Sequence, residues 1–164
     1  SYFVAAAMAL CEGDDTTGCA ALMRIVFVCL GNICRSPAAE GIMRDLAPDM
    51  TFDSAGTAGW HEGDAPYGPM QDAANARGLD LSTLRARQFV SADFEHFDLI
   101  VAMDAQNRSD IEKQRPKGNT TPVRMLADTD VPDPYYTRDF DATLDMIESA
   151  AKRLLGHISG RPDR

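Results

Sequence analysis

The sequence has few basic residues, few histidines and no long apolar run. Its 16 lysines and arginines stand against 25 aspartates and glutamates among 164 residues, which gives a formal net charge of −9. An acidic chain of this kind is a poor general partner for nucleic acid or for an anionic membrane, so we expect neither. No apolar stretch approaches the roughly 18 residues of a membrane-spanning helix. Any attraction for an anionic ligand must therefore come from a local group of residues.

Cysteine is also scarce, and its spacing argues against two kinds of site. The four cysteines include no Cys-x2-Cys pair. Structural zinc sites and thioredoxin-type redox motifs usually contain such a pair, so neither is expected. We expect no metal and no cofactor. A single domain of this length buries enough core without disulfides. The composition therefore indicates one domain in a reducing, cytoplasmic compartment.

The most informative stretch is 24–40, RIVFVCLGNICRSPAAE. It opens with the apolar run Ile25–Val28, which is typical of a strand buried on both faces of a parallel sheet. It closes with Ser36 and Pro37, a helix-capping residue followed by proline, and then with apolar residues at helical spacing. A strand that leads through a loop into a helix directs backbone N–H groups and the positive end of the helix dipole at one point. The pattern predicts an anion site there.

Side chains of suitable chemistry surround the predicted anion site. Cys29 lies at the end of the strand, where the same field favours a nucleophilic thiolate. Arg35 can hold two oxygens of a phosphate in its planar fork. Gly31 and Asn32 tolerate left-handed backbone, and the Ser36 hydroxyl can cap the helix and donate to the sulfur. The backbone amides expected to bind phosphate oxygens belong to Leu30, Gly31, Asn32, Ile33, Cys34 and Arg35.

The segment 28–40, VCLGNICRSPAAE, resembles the phosphate-binding loop of the low-molecular-weight protein tyrosine phosphatases. The resemblance covers about 23–158. It implies hydrolysis of phosphotyrosine through a cysteinyl-phosphate, without a metal. It also implies the strand order 2-1-3-4 for the sheet.

The resemblance assigns roles to residues around this loop. It implies that Cys34 is a redox partner that can trap Cys29 in a reversible disulfide under oxidant. It implies that Ser54 supports the loop and that Trp60 forms one wall of the substrate cleft. Trp60 lies in a Gly- and Pro-rich segment, which is a poor place for a core residue. Arg77 is a departure, because some relatives carry a histidine there that helps to fix the loop.

A second informative stretch lies at 128–136, DTDVPDPYY. A thiolate that attacks a phosphate monoester needs a partner that protonates the departing oxygen. Asp133, between two prolines, is a carboxyl that an apolar cleft and a dianionic substrate would keep protonated, and its carboxylate would later activate water. We assign none of the three histidines to catalysis. The stretch resembles the acid loop of the same family, in which Tyr135 and Tyr136 line the cleft opposite Trp60.

Apolar segments alternate with helical patterns along the rest of the chain. We expect strands at 25–28, 51–54, 97–102 and 122–127, and helices at 36–46, 69–77, 91–96, 104–115 and 139–158. The alternation predicts an α/β domain, a four-stranded parallel doubly wound sheet with helices on both faces. The two arginines of 84–89, Arg85 and Arg87, are interpreted as a solvated loop edge.

We expect three segments and a monomer. Residues 1–22 do not fit the pattern that follows and are expected to form a mobile N-terminal extension. Residues 23–160 are expected to form the single phosphatase domain, and 161–164 a C-terminal tail. The expected partners are phosphotyrosine-containing proteins.

Several alternatives to a tyrosine phosphatase remain open. Ile33 is apolar and suits an aryl ring, whereas a threonine there would favour a polar group, so phosphotyrosine is preferred over phosphoarginine. Arsenate reduction requires further cysteines to pass oxidation onward, and none follows Cys34. An anion-sensing or redox-sensing module without turnover would have no need of Asp133.

Overall fold

Four parallel strands form the centre of the molecule. The computed structural model describes residues 23–158, so the extension expected at 1–22 and the tail expected at 161–164 lie outside the described residues. The strands pair in parallel in the order β2-β1-β3-β4, which confirms the predicted sheet and strand order. Their bounds are β1 Arg24–Cys29, β2 Thr51–Gly56, β3 Leu99–Ala102 and β4 Val123–Met125.

Six helices of the described residues follow or connect the strands. Five lie where the sequence predicted helices, and the short α5, which begins directly after Asp133, was not expected. Within 23–158 no helix combines the length and the apolarity needed to cross a bilayer. The bounds are α1 Arg35–Leu46, α2 Gly68–Asn75, α3 Asp93–His96, α4 Ala105–Glu112, α5 Pro134–Thr137 and α6 Phe140–Ile158.

Strand β1 is buried on both faces, as the apolar run predicted. Successive side chains of a strand point to opposite faces. Ile25 and Phe27 accordingly belong to one core, together with apolar residues of α1 and α6. Val26 and Val28 belong to a second core, which includes Ile111 of α4. Helices therefore cover both faces of the sheet, and the loop after β1 emerges at the middle of its carboxyl edge.

Helix α1 begins earlier than the sequence suggested. Its first residue is Arg35 and Cys34 stands at the cap position, with no side-chain capping bond. The expectation that Ser36 caps this helix is therefore wrong, because Ser36 is already inside the first turn and its hydroxyl points to the Cys29 sulfur. Pro37 remains compatible with the helix because the first-turn N–H groups have no intrahelical acceptor.

Candidate active site

Carbonyl oxygens of the loop between β1 and α1 accept hydrogen bonds from a neighbouring segment, and these bonds fix the loop from outside. Three of them accept hydrogen bonds from the segment that follows β2. In a trans peptide the N–H points opposite to the C=O, and the described residues contain no cis peptide bond. The next amide after each bound carbonyl therefore faces the inside of the loop. The bonds are Thr57 N to Cys29 O at 2.9 Å, Ala58 N to Leu30 O at 2.9 Å and Tyr67 N to Ile33 O at 2.8 Å.

Cys29 is 2% exposed, and its sulfur lies at the bottom of this loop. The Asn32 amide donates to it at 3.2 Å, and the Ser36 hydroxyl lies 3.0 Å from it. The backbone N–H on one side and the serine hydroxyl on another fix the position of the sulfur in the loop. The loop thus presents a cysteine whose surroundings suit a nucleophile.

Asn32 adopts the left-handed conformation that the sequence predicted, with φ of 56°. Its side chain donates from Nδ2 to Ser36 Oγ at 2.8 Å and accepts from the Arg87 amide at Oδ1 at 3.0 Å. Gly31 does not have a positive φ, so the left-handed expectation was wrong for that residue. A Cβ at this position would lie 3.2 Å from the partly exposed His61 ring, so the ring would have to shift slightly to admit one.

Arg35 is 3% exposed and is fixed by two acceptors. Its Nη1 donates to Asp104 Oδ2 at 2.7 Å and to the Val131 carbonyl at 3.0 Å. Its Nη2 lies 3.5 Å from Asp133 Oδ2. Burial lowers the pKa of Arg35, but Cys29 and the two carboxylates outweigh burial, so the pKa is raised above the usual arginine range. The guanidinium is therefore a permanent, oriented cation beside the loop.

Asp133 reaches the same cleft from the opposite side. It precedes α5, and its Oδ1 accepts from the Tyr135 amide at 3.1 Å. This bond and the proline at 134 fix the carboxyl, and its other oxygen faces the Arg35 guanidinium. The structure thus brings together the thiol, the guanidinium and the carboxyl that the sequence placed 104 residues apart along the chain.

From the sequence, Asp104 is most simply the N-cap of the helix after the third strand, although it is also expected at the carboxyl edge of the sheet with the reacting loop; it was not assigned to the site. Its Oδ1 does accept from the Asn107 amide at 2.7 Å at the start of α4. Its Oδ2 binds Arg35, and this second contact orients the guanidinium. Its expected position at the carboxyl edge of the sheet is confirmed, and the bond to Arg35 is the role that the sequence did not assign.

The cleft has a volume of about 200 Å³. This is below the roughly 300 to 1,000 Å³ of pockets for drug-sized ligands, so the cleft suits a single side chain. Aromatic residues form its exposed rim, as the resemblance implied: Trp60 is 73% and Tyr136 72% exposed. His61 also lines it, which the sequence did not indicate. The residues around the cleft are Cys29, Leu30, Gly31, Ile33, Cys34, Arg35, Trp60, His61, Asp133, Tyr135 and Tyr136.

Tyr67 supports the aromatic rim and was not singled out from the sequence. Its ring lies 5.3 Å from that of Tyr135, and the Arg138 guanidinium lies 5.3 Å from the Tyr67 ring. Arg138 also donates to the Tyr67 hydroxyl at 3.1 Å. Offset or tilted aromatic pairs at such distances are attractive, so Tyr135 is held against the protein while Tyr136 projects outwards.

Cys34 is buried in the same loop and is not bonded to another cysteine. Burial, together with the neighbouring Cys29 and Asp133, raises the pKa of Cys34 to about 12. Cys34 is therefore a neutral thiol at physiological pH, and the two loop cysteines differ in chemical character. Among residues 23–158 no group of three or more histidine, cysteine or acidic side chains forms a metal-binding cluster.

Ser54 lies near the loop, but its hydroxyl points elsewhere. It donates to Glu40 Oε1 at 2.6 Å, and Arg44 contacts the other oxygen of the same carboxylate at 2.6 Å. No hydrogen bond of the described part of the chain joins the Ser54 hydroxyl to a loop group. The support that the resemblance implied for Ser54 is therefore a buried contact with α1.

Replacing Glu40 by glutamine should change how stability depends on pH. Burial raises the pKa of Glu40 despite the Ser54 bond and the Arg44 charge. A raised pKa in the folded state means that the parent loses stability as the pH rises through that pKa, whereas glutamine has no such loss. The melting temperature of Glu40→Gln, measured relative to that of the parent, should therefore increase as the pH is raised from about 4 to about 8. If the difference between the two melting temperatures is the same across this pH range, the expectation is contradicted.

Replacing Gly56 by alanine should disturb the loop directly. A Cβ at this position would lie 2.8 Å from Leu30 O and 3.1 Å from Asn32 N, and both are backbone atoms of the loop. A displacement of 1 Å at a reacting centre can lower the reaction rate about 100-fold, so we expect kcat of Gly56→Ala to fall about 10- to 100-fold. Gly68→Ala is the matched control, because no atom lies within 4 Å of its added Cβ. The measurement is hydrolysis of p-nitrophenyl phosphate, the activity that the resemblance implies, and equal rates for the two variants would refute this expectation.

The two arginines of the 84–89 segment differ. Arg85 is exposed, as expected for a solvated edge, but its neighbour is not. The Arg87 guanidinium binds Asp53 and Asp93, so the solvated-edge interpretation was wrong for Arg87. Arg77, where the sequence departs from the family pattern, forms its ion pairs with carboxylates of α6.

Comparisons with known proteins give one consistent result. Residues 24–161 match the family model described as low molecular weight phosphotyrosine protein phosphatase. The chain is 39% identical over 150 residues to the low molecular weight protein-tyrosine-phosphatase YfkJ of Bacillus subtilis, covering 84% of this chain and 96% of that protein. The crystal structure of YfkJ superposes with a TM-score of 0.79 at 38% identity and covers 84% of this chain and 95% of its own.

Two further solved structures agree with this result. A protein tyrosine phosphatase from Entamoeba histolytica, with Hepes in its active site, gives a TM-score of 0.75 at 36% identity and covers 81% of this chain and 94% of its own. Wzb of Vibrio vulnificus, in complex with benzylphosphonate, superposes with a TM-score of 0.75 at 26% identity. The match covers 81% of this chain and 97% of the Wzb chain.

Proposed function

Because the chain belongs to the low molecular weight phosphotyrosine protein phosphatase family, we propose that it hydrolyses phosphotyrosine with Cys29 as nucleophile. The observation that carries the assignment of residues is the convergence of Cys29, Arg35 and Asp133 on one small cleft. The complex of Vibrio Wzb with benzylphosphonate, which contains a phenyl ring, agrees with an aromatic substrate. Hydrolysis proceeds in two steps without a metal.

In the first step the Cys29 thiolate attacks phosphorus, so that a sulfur–phosphorus bond forms and the bond to the phenolic oxygen breaks. The inward amides of the loop and the Arg35 fork bind the equatorial oxygens, whose charge grows in the transition state. Asp133 enters this step in its protonated form, at the side of the cleft that faces Arg35. Asp133 then gives its proton to the departing phenolate.

In the second step water displaces sulfur from phosphorus. Asp133, now a carboxylate, takes a proton from that water while the oxygen attacks. The Ser36 hydroxyl, 3.0 Å from the sulfur, donates to Cys29 as it regains its negative charge. Phosphate leaves, and the thiolate is restored. Cys29 and Asp133 therefore each act in both steps.

The walls of the cleft favour an aryl substrate. Ile33 and the rings of Trp60, Tyr135 and Tyr136 provide apolar contact for a phenyl ring, and aromatic pairs attract beyond simple burial. The Cys29 sulfur lies at the bottom of the loop, so the phosphate must be carried on a long side chain. Phosphotyrosine meets both requirements, whereas phosphoserine is too short and phosphoarginine carries a cation.

A panel of peptides tests this assignment. Three peptides of one sequence, bearing phosphotyrosine, phosphoserine or phosphoarginine, are compared by phosphate release in the presence of EDTA. We expect kcat/KM for phosphotyrosine to exceed the other two values by at least about tenfold, since an apolar pocket rejects charged or short groups. Faster release from phosphoarginine would overturn the substrate assignment. Loss of activity on adding EDTA would overturn the metal-free mechanism.

Oxidation of the loop follows from the different character of its cysteines. A peroxide converts the Cys29 thiolate to a sulfenic acid, and the neutral Cys34 thiol then attacks that sulfur. A disulfide forms, water leaves, and reduction by a thiol restores both groups. The two cysteines of the loop therefore form a reversible redox pair that protects Cys29 from irreversible oxidation.

The remaining assignments concern partners and location. The partners are phosphotyrosine-containing proteins, bound by a monomer of which 23–160 forms the phosphatase domain. A net charge of −9 argues against nucleic acid or anionic membranes as general partners. Two unpaired cysteines in one loop agree with a reducing, cytoplasmic environment.

A further inference from the structure

One arginine outside the cleft binds two carboxylates on different elements. The Arg87 guanidinium contacts Asp53 Oδ2 from Nε at 3.1 Å and from Nη2 at 3.0 Å, and Asp93 Oδ2 from Nη1 at 3.0 Å. Asp53 lies on β2, and Asp93 is the buried first residue of α3. Burial lowers the pKa of Arg87, but the carboxylates outweigh burial and raise it. The side chain thus ties the segment 86–89 to both the sheet and α3.

The main chain of the same segment is fixed against the loop. The Arg87 carbonyl accepts from the Gly56 amide at 2.9 Å, and the Phe89 amide donates to the Gly56 carbonyl at 2.7 Å. The Arg87 amide donates to Asn32 Oδ1 at 3.0 Å. A residue whose side chain is clamped between two elements therefore delivers its own N–H to the phosphate loop.

This N–H determines how the Asn32 amide is turned. An N–H needs an oxygen acceptor, so Asn32 presents Oδ1 to Arg87 and Nδ2 to Ser36, 2.8 Å away. Ser36 Oγ accepts that bond, which leaves its single hydrogen for another acceptor. The Cys29 sulfur at 3.0 Å is nearer than the Ala55 carbonyl at 3.3 Å. A thiolate cannot donate, so when Cys29 is the thiolate this short contact requires the serine hydroxyl as its donor, and Asn32 holds the serine oxygen in place for it.

We propose that Arg87 is a positioning residue for the phosphatase reaction, which acts through Asn32 and Ser36 to hold a hydrogen bond on the Cys29 sulfur. This rests on the proposed role of Cys29 as nucleophile. Any residue has a backbone N–H, so the contribution specific to arginine is where that N–H is held. A lysine keeps the charge but lacks the planar fork that binds two carboxylates at once.

Loss of the guanidinium should affect chemistry more than substrate binding. The hydrogen bond to sulfur stabilises the thiolate as attacking and as leaving group, whereas phosphate is bound by the loop amides and Arg35. For Arg87→Ala we expect kcat to fall roughly tenfold, the loss that one misplaced charge-assisted hydrogen bond produces, with KM changed less than about twofold. We expect the midpoint of the pH profile of Cys29 alkylation to move to higher pH, because the thiolate is less stabilised.

The experiment compares three variants of the full chain. Arg87→Ala removes the clamp, and Arg87→Lys should restore part of kcat and of the alkylation midpoint. Arg77→Ala is the matched control, since Arg77 also bridges carboxylates, at 2.9 Å to Asp145 and 3.2 Å to Asp141, but on α6. For each variant we measure kcat and KM with p-nitrophenyl phosphate and the thermal unfolding transition. The rate of alkylation by iodoacetamide is measured from pH 4 to 9. Mass spectrometry of the peptides identifies the alkylated cysteine.

The outcomes separate a positioning role from simple destabilisation. If Arg77→Ala lowers kcat and moves the midpoint as much as Arg87→Ala does, the proposal is wrong. It is also wrong if Arg87→Ala melts cooperatively and keeps the parent midpoint and kcat. If Arg87→Ala does not fold, Arg87→Lys is tested in a double-mutant cycle with Asn32→Ala. The effect of Arg87→Lys on kcat should disappear in the Asn32→Ala background. If the effects of the two substitutions on kcat are fully additive, the route through Asn32 is refuted.

Failure of the proposed function would look different. If the parent does not turn over p-nitrophenyl phosphate, or if inorganic phosphate does not protect Cys29 from iodoacetamide, then the role of Cys29 is wrong. If the parent is active and phosphate protects Cys29, while the Arg87 variants match the parent, only the positioning role is wrong.

Discussion

Replacing Cys29 by serine should reduce turnover of p-nitrophenyl phosphate by at least about 10⁴-fold, because loss of a nucleophile removes the covalent route. A serine hydroxyl is not ionised at neutral pH, and the serine side chain cannot form the thiophosphate. The loop amides and Arg35 remain, so inorganic phosphate should still bind with an affinity within a few-fold of the parent. Steady-state rates and a thermal-shift titration with phosphate measure the two quantities.

A matched control separates this effect from cysteine loss in general. Cys11→Ser makes the same chemical change outside the stretch that matches the family model, so its turnover should equal that of the parent. More than a few per cent of parent activity in a Cys29→Ser preparation would refute the nucleophile assignment. Loss of phosphate binding in that variant would instead indicate that the loop itself had collapsed.

Replacing Asp133 by asparagine should lower kcat on a phosphotyrosine peptide by about 10²- to 10⁴-fold, the usual contribution of a general acid. Asparagine keeps an oxygen that can accept from the Tyr135 amide, so the start of α5 should persist. The fall should be smaller for the first step with p-nitrophenyl phosphate, because nitrophenolate leaves without a proton. Rapid-mixing measurements of nitrophenol release isolate that first step.

The neighbouring Asp130 provides the control for this substitution. It lies in the same loop, and its carboxylate accepts from the Ala105 amide, a bond that asparagine can also accept. Asp130→Asn should therefore retain parent rates on both substrates. Equal falls on both substrates for Asp133→Asn, or a similar fall for Asp130→Asn, would show that Asp133 does not act as the acid.

Local patterns were enough to predict the sheet and the reacting loop. The run Ile25–Val28 and the residues after it specify a buried strand, a loop and a helix within 17 positions, and each is present. The helical periodicity of 139–158 likewise predicted α6, whose apolar stripe is buried. These features depend on interactions between near neighbours, which a single sequence shows directly.

The groups that orient the loop could not be predicted in this way. Arg35 meets Asp104, 69 positions away, and Asn32 meets Arg87, 55 positions away. Asp104 is also a helix cap, and this local role was sufficient to explain an aspartate there. Arg87 stands between Ala86 and Gln88 in a short segment that gives no helical periodicity. Such contacts depend on how β2, β3 and the connecting segments pack together, which no local pattern specifies.

The position of Cys29 near the start of the domain has a consequence during protein synthesis. The partners of the loop come from β2, the 86–89 segment, the end of β3 and Asp133, so they are made after it. At about 5 to 20 residues per second, the ribosome needs on the order of 5 to 20 s to reach Asp133 after Cys29. During this interval the nascent chain carries the reactive cysteine without its acid. Phosphatase activity can begin only when nearly the whole domain has been translated.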